Sequence, residues 1–275
     1  MAEVKLGIAS IQRNRSKWIV EWLAFHMVVG FEQFYLYAHK TNDGMTEKLL
    51  KLARRYDIKV HLLDDQAQPQ LLAYQHAVNS YAKEVDWLAF LDGDEFLLPA
   101  QGLHVGPALA PFEACNLSAL AVYWQCYGSN GHVKDPEGLC LQEYPRHSGP
   151  DFQPNRHVKT ILRGGQAAQV RGAHLFQTSL GTFDELRRPI THGYMRELAP
   201  SQQYLRLNHY AVQSFDFFRQ VKQSIGAADG NRQLIRPDSW FFEYDRNECD
   251  DGWSYRFLVP VKLKLQELQD VIASV

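Results

Sequence analysis

The 275-residue chain is short of cysteine, holding four. Cys115, Cys126, Cys140 and Cys249 show no C-x-x-C spacing and give too few pairs for a disulfide framework, so buried free thiols are expected. No window reaches 18 uncharged apolar residues, and the opening MAEVKLGIAS lacks the charged start and apolar block of a secretory signal. Neither a spanning helix nor an export tag is therefore expected, and a cytoplasmic location is the default. A run of Lys and Arg is missing too. With a formal charge of −2 the chain offers no nucleic-acid footprint, because phosphate neutralisation needs clustered cations. An anionic ligand must be met locally or through a metal. Repeats and low-complexity tracts are absent. What remains, at 45% apolar and 22% charged residues, has the composition of an ordinary soluble globular protein with a sizeable core.

The first hundred residues alternate. VKLGIASI (4–11), EQFYLYAH (32–39), KVHLLDD (59–65) and DWLAFLDGDEF (86–96) read as strands. Between the first two, Trp18, Ile19, Trp22, Leu23, Phe25, His26 and Val29 recur at helical spacing, with Ser16 as N-cap and Gly30 as stop. MTEKLLKLARRYDI (45–58), with Leu49, Leu50, Leu52, Ala53 and Tyr56 on one face, and QPQLLAYQHAVNSYAKEV (68–85) predict two more helices. Four strands alternating with helices imply crossover connections: a mostly parallel α/β sheet flanked by helices, of the nucleotide-binding kind. The rhythm breaks over 99–200, which carry most of the Gly and Pro. The runs LSALAVYWQCY (117–127), HVKTILRG (157–164) and QVRGAHLF (169–176) suit a smaller mixed-sheet half. DFFRQVKQSI (216–225) predicts a late helix, and VPVKLKLQELQDVIAS a terminal helix after Pro260. We therefore divide the chain into a nucleotide-side half, 1–98, and an acceptor-side half, 99–275, within one domain.

The fourth strand run ends in Asp92, Gly93, Asp94 and Glu95. Ligands of an open parallel sheet bind outside the carboxyl ends of its strands. An Asp-x-Asp step there lets Asp92 and Asp94 reach one hard cation that bridges to diphosphate oxygens, and Gly93 allows a close approach of the backbone. Glu95 is expected to face inward or brace a loop. The bland reading of the same string is a polar strand end.

Several stretches then resemble one family in the same order. RNRSKWIVEWLAFHMVVGFEQFYLYAHKTNDG resembles the opening of the family 92 type glycosyltransferases and their bacterial relatives in the glycosyltransferase family 2 group. WLAFLDGDEFL is similar to their W-x-x-F-x-D-x-D-E-F, WQCYGSNGH to W-x-x-F-G-S-x-G, and HVKTILR to a K-S-I-x-R strand. LNHYAVQSFDFFRQVKQSIG is similar to N-H-Y-x-x-K-S-x-x-x-F-x-x-K, and the whole likeness covers about residues 7–226. The sequence departs at Arg13-Asn14-Arg15, where the pattern has Lys-Asn-Glu, so a cation replaces an acid near the nucleotide. It departs again at Gln213, for Lys, and at Tyr127, for Phe.

The resemblance implies a GT-A fold and a metal-dependent, inverting glycosyltransferase. It would take a nucleoside-diphosphate sugar with Mn2+ or Mg2+ and act on a glycan or lipid-linked acceptor, in peripheral association with the inner membrane face. Asp92 and Asp94 would hold the metal, with His209 completing its shell and His174 as the alternative. Asn14 and Asp43 follow the first two strands, where a donor's uracil or ribose would sit; both are also ordinary turn-formers. Gln70 and Tyr74 share a helix face and are expected to look into the cleft together, with His76 on the same helix. Inversion needs a general base, for which Asp184 and Glu185 of SLGTFDELRR are candidates. YGSNGH (127–132) is either a source of backbone donors for the ligand or a plain turn. Trp124, Trp240 and Trp253 stack on sugar or belong to the core, and Lys159 and Arg163 meet phosphate or solvent. Two rivals stand beside this reading. A nucleotidyltransferase would carry a glycine-rich phosphate loop that IASIQRNRS lacks, and a non-catalytic carbohydrate-binding relative would show no turnover.

Overall fold

The computed structural model describes residues 4–64, 67–223 and 235–274. β1 (Leu6–Gln12), β2 (Gln33–His39), β3 (Ile58–Leu63) and β4 (Trp87–Phe90) lie parallel in the order β3-β2-β1-β4. Ile8 sits in register with Phe34 on one side and Ala89 on the other. Alternate residues feed opposite faces, as the pleat requires. Leu6, Ile8, Phe34, Leu36, Trp87 and Ala89 pack with α1 (Ile19–Val28), α2 (Met45–Leu52) and the C-terminal helix Leu258–Ser274. Ala9, Ile11, Tyr35, Tyr37, Leu88 and Phe90 pack with α3 (Pro69–Tyr81) on the other face. Coverage on both faces explains why β1, β2 and β4 are buried along their whole length rather than at alternate residues. The α/β expectation holds here.

Beyond β4 the sheet becomes mixed. β5 (Glu95–Pro99), β6 (Ala119–Cys126), β7 (Arg146–His147) and β8 (Val158–Arg163) are followed by β9 (Ala168–Val170) and β10 (Phe176–Thr178). β11 (Thr182–Asp184), β12 (Leu205–His209) and β13 (Cys249–Asp250) complete the strands among the described residues. β8 runs antiparallel to both β4 and β6, β12 runs parallel to β6 and antiparallel to β5, and β11 joins β6. One sheet thus takes strands from both halves of the chain.

Several local expectations are corrected. The fourth strand stops at Phe90, because Asp92 N–H donates to Glu95 Oε2 and Glu95 N–H to Asp92 O, closing a turn before β5 leaves for the far end of the sheet. The carboxylates therefore lie in a turn between two strands. Ser16 does not cap α1: its N–H donates to Asp43 Oδ2, and the helix begins at Ile19. Gly30, at φ +103°, does end α1's last turn. α2 ends at Leu52, since Asp57 O already accepts from Phe34 N–H and Ile58 enters β3; Leu50 is left 52% exposed. QVRGAHLF is no single strand but spans β9 and the start of β10, paired antiparallel. The late helix is a short α-turn, Phe215–Phe217, capped by Ser214 Oγ, running into a π-turn, Phe218–Lys222; the rest of that prediction, 224–225, lies outside the described residues. The terminal helix starts at Leu258, with Pro260 in its first turn, where the missing N–H has no helical partner to lose. All four cysteines are free, Cys126 and Cys140 buried, but Cys115 and Cys249 only half-buried.

Candidate active site

A cleft of about 340 Å³ opens at the carboxyl ends of β1 and β4. Its floor is the turn after β4; its walls come from the loop after β1, the start of α3, strands β6 and β12, the loops at His157 and His174, and the segments at Lys222 and Arg236–Tyr244. Asp92 is held from α3: Gln70 Nε2 donates to its Oδ1 at 2.7 Å and the Tyr74 hydroxyl at 3.2 Å. The shared face of Gln70 and Tyr74 is thus turned to the site, although only Gln70 lines it; Tyr74 is buried behind, and His76 faces away to bond the Tyr37 hydroxyl.

Lys159 Nζ lies 2.8 Å from Asp92 Oδ2 and 3.5 Å from Glu95 Oε2 and is 1% exposed. It meets neither solvent nor a free phosphate position, as expected of it from sequence, but two carboxylates. Burial disfavours its ammonium, yet Asp92 and Glu95 outweigh burial and raise its pKa. Burial likewise disfavours the Asp92 carboxylate, and Lys159 outweighs it there, so Asp92 stays ionised. Glu95 braces the turn as expected, accepting from Asp92 N–H and from Trp124 Nε1 at 2.7 Å; burial pushes its carboxyl up to about 8, against Lys159.

Asp94 is 4% exposed and ion-paired to Lys222, with His209 Nε2 3.8 Å from the same oxygen. Burial would raise its carboxyl, but Lys222, His209 and Arg15 together hold it well below the usual range. Burial brings His209 down to about 3, so its ring is neutral; it packs 4.0 Å from Trp124, and its buried Nδ1 has no hydrogen-bond partner. His157 and His174 direct Nδ1 at the carbonyls of Pro154 and Val158, at 3.0 and 2.9 Å. That fixes Nδ1–H in each and leaves the Nε2 lone pair as acceptor. Burial lowers both, His174 to about 4. Gly93 fits its place because a Cβ would come 2.6 Å from Gln12 Oε1; the close neighbour it admits is Gln12, and Arg15 donates to its carbonyl at 2.6 Å.

Other candidates lie elsewhere. Asn14 and Asp43 do not line the cleft and hold the turns after β1 and β2: Asn14 Oδ1 accepts from Asn42 N–H, and Asp43 accepts from Ser16 and Met45 N–H. Asp184 and Glu185 are buried away from it, and every oxygen is taken. Asp184 accepts from Leu186 N–H, Arg188 N–H, the Arg188 guanidinium and the Tyr123 hydroxyl; Glu185 accepts from Ser201 and from the N–H groups of Gln203, Tyr204 and Leu205. Neither is placed to take a proton from a ligand. In YGSNGH, Ser129 and Asn130 N–H are spent on Asp245 and Asn247. Arg163 caps the end of α4 (Val105–Glu113) through the carbonyls of Phe112 and Glu113. Trp124 and Trp240 line the cleft; Trp253 does not.

Sequence reasoning missed Lys222, Arg236, His157 and Tyr244 as lining residues. Lys222 had only a near signal: in register the Lys that closes the last resembled motif falls on Val221, one place before it. His157 opens HVKTILR, whereas nothing local marks Arg236.

A divalent ion does not fit the donor set that the described residues present. No group of three His, Cys, Asp or Glu among them is arranged to hold a metal ion. Asp92 is engaged by Gln70, Tyr74 and Lys159, and Asp94 by Lys222. Arg13, Arg15, Lys222 and Arg236 line the cleft against Asp92 and Asp94, so the excess charge is positive. Such a lining attracts an anion.

The chain matches the family model for glycosyltransferase family 92 over residues 3–229. It is similar to the glycosyltransferase family 92 protein Os08g0121900 of Oryza sativa subsp. japonica, 21% identical over 255 residues, covering 85% of this chain and 41% of that protein. It is also similar to the family 92 protein At1g27200 of Arabidopsis thaliana, 23% identical over 228 residues, covering 78% and 36%. The chain thus spans less than half the length of these relatives. Among solved structures, S. aureus TarS 1-349 in complex with UDP-GlcNAc matches at a TM-score of 0.43 and 11% identity, covering 94% of this chain and 72% of that one, a likeness too distant to argue from. No helix among the described residues is long and apolar enough to cross a membrane.

Proposed function

Because the chain belongs to glycosyltransferase family 92, we propose that its cleft binds a nucleoside-diphosphate sugar and transfers the sugar to a hydroxyl of a glycan or lipid-linked acceptor. One observation carries the reading: a cleft outside the carboxyl ends of parallel strands, lined by four cations and floored by an Asp-x-Asp turn. Breaking the bond from sugar to diphosphate leaves negative charge on the phosphate, and preset cations lining the cleft stabilise that charge without reorganising. Residues 1–98 supply the nucleotide side through Arg13, Arg15, Gln70 and the carboxylate turn. Residues 99–275 supply Trp124, His157, His174, Trp240 and Tyr244, an aromatic and imidazole wall on which a sugar can stack and to which an acceptor hydroxyl can donate.

With Asp184 and Glu185 committed to their own loops, the base of an inverting reaction falls to His157 or His174. Each is neutral at pH 7 and presents Nε2 as acceptor.

The test is release of nucleoside diphosphate from a panel of nucleotide-sugars by the intact chain. Asp94→Asn keeps the size and loses the charge that pairs Lys222; it is expected to cut turnover per folded molecule about 10²-fold or more, with a lower melting temperature from the broken pair. No release from any donor would instead favour a non-catalytic carbohydrate-binding protein, and full activity in Asp94→Asn would take that carboxylate out of the reaction.

A further inference from the structure

The position beside Asp94 that a metal would take is held by an ammonium group. Lys222 Nζ pairs with Asp94 Oδ2, the oxygen that His209 Nε2 also faces at 3.8 Å. Lys222 is still 20% exposed toward the cleft, so its remaining N–H groups can reach a ligand. On the other side of the turn, Lys159 fills the equivalent place at Asp92. Arg15, which stands where the resembled pattern has Glu, donates to Gly93 O between the two carboxylates, and its Nε is buried without a partner. The buried Nε of Arg13 is likewise unpartnered, and Arg13 and Arg236 both line the cleft.

Charge decides between two ligands for this arrangement. Two net positive charges on the lining are neutralised by a diphosphate. A divalent cation would raise them to four and would first have to displace Lys222 from Asp94.

We propose, resting on the glycosyltransferase reading above, that this chain neutralises its donor's diphosphate with its own cations, Lys222 foremost with Arg13, Arg15 and Arg236, and needs no divalent metal ion. Asp94 is then a positioning residue: it sets the ammonium of Lys222 at the phosphate rather than ligating a metal. Asp92 does the same for the turn through Lys159. No bond is made or broken on these groups; they meet the charge that the leaving diphosphate carries away.

Three measurements on the intact 275-residue chain test this. Binding of UDP, GDP and ADP is followed by calorimetry in EDTA and in Mn2+; donor turnover is followed in the same buffers; and Mn2+ alone is titrated onto the protein by electron paramagnetic resonance. Affinity and turnover in EDTA within about twofold of the Mn2+ values, with no stoichiometric Mn2+ site on the free protein, are expected. Lys222→Ala and Lys222→Gln should each weaken nucleotide binding in EDTA at least tenfold. Binding or turnover that appears only with Mn2+ overturns this inference and leaves the glycosyltransferase reading standing, as does nucleotide affinity that Lys222→Gln leaves unchanged. Absence of nucleotide binding in both buffers overturns the two together. The Mn2+ titration needs no variant, so misfolding of the Lys222 substitutions does not remove the test.

Discussion

Two carboxylate pairs compete for attention in this molecule, Asp92 with Asp94 and Asp184 with Glu185, and their partners tell them apart. Six of the donors to Asp184 and Glu185 are backbone N–H or guanidinium groups of the loops 186–188 and 203–205. A backbone donor cannot leave without unmaking its loop, so these carboxylates are spent on folding. Asp92 and Asp94 are instead met by the side chains of Gln70, Tyr74, Lys159 and Lys222, brought from three separate elements, and they face a cleft. Side-chain partners can re-aim toward a ligand. A carboxylate's availability therefore depends less on how many bonds it makes than on whether its donors are free to turn.

The sharpest way to break this contrast is Glu185→Ala. Its removal strands the N–H groups of Gln203, Tyr204 and Leu205 and the Ser201 hydroxyl, each costing about 1–3 kcal/mol if it stays dry. Allowing for partial rewetting, we expect a loss of about 3 kcal/mol, seen as a fall of roughly 6–12 °C in melting temperature. Turnover per folded molecule should be unchanged. A stable variant without activity would return Glu185 to the site as its base.

The parallel half of the sheet was readable because each of its strands and helices carries its own periodicity, from Leu6 to Phe90. The Asp-x-Asp turn was readable by position, as the end of the fourth strand, and Gln70 with Tyr74 by helical spacing. Errors begin where partners are remote. Nothing near Asp184 in the sequence says that Tyr123, 61 positions back, will close on it, and Glu185 meets residues 16 to 20 positions ahead. Arg236 reaches the cleft only by tertiary placement. Lys222 and Lys159 were visible as residues, but their pairing with Asp94 and Asp92 spans 128 and 67 positions and follows only from tertiary placement.

Histidines repeat the contrast at smaller scale. His157 and His174 keep Nε2 for a ligand, whereas His26 has both nitrogens committed: Nδ1–H to Trp22 O at 2.8 Å, and Nε2 as acceptor from Leu97 N–H at 3.3 Å. Burial lowers His26 to about 3, far below the usual value near 6.5. Between those two values the unfolded chain binds the proton that the folded chain refuses. The His26 contribution is therefore present above pH 6.5 and is lost as pH falls toward 3, with a limiting slope of about 1.4 kcal/mol per pH unit. His174 and His209 act with the same sign. Glu21 and Glu95, which burial raises to about 8, act with the opposite sign over the same range, so the His26 part is read as a difference between two proteins. Urea unfolding at pH 7, 6 and 5 should show the stability of the protein relative to His26→Gln falling with acid, and an equal slope in the two would mean that His26 contributes no linkage.

The weakest effect should come from an ion pair that looks like Lys159–Asp92 by distance. Lys59 Nζ sits 2.7 Å from Glu84 Oε2, but the side chains are 40% and 38% exposed, where water and salt already screen them. Lys59 also lies over the rings of Tyr35 and Tyr81, contacts that the stem of a methionine retains in part. Lys59→Met should cost less than about 1 kcal/mol, and the loss should shrink further when unfolding is measured in 0.5 M rather than about 0.05 M salt, as the Debye length contracts. A larger, salt-independent loss would mean that Glu84, which also accepts from the Tyr35 hydroxyl at 3.0 Å, anchors β2 as Asp184 anchors its loop. Burial would then be the wrong variable for separating structural from available carboxylates, and the freedom of their donors the right one.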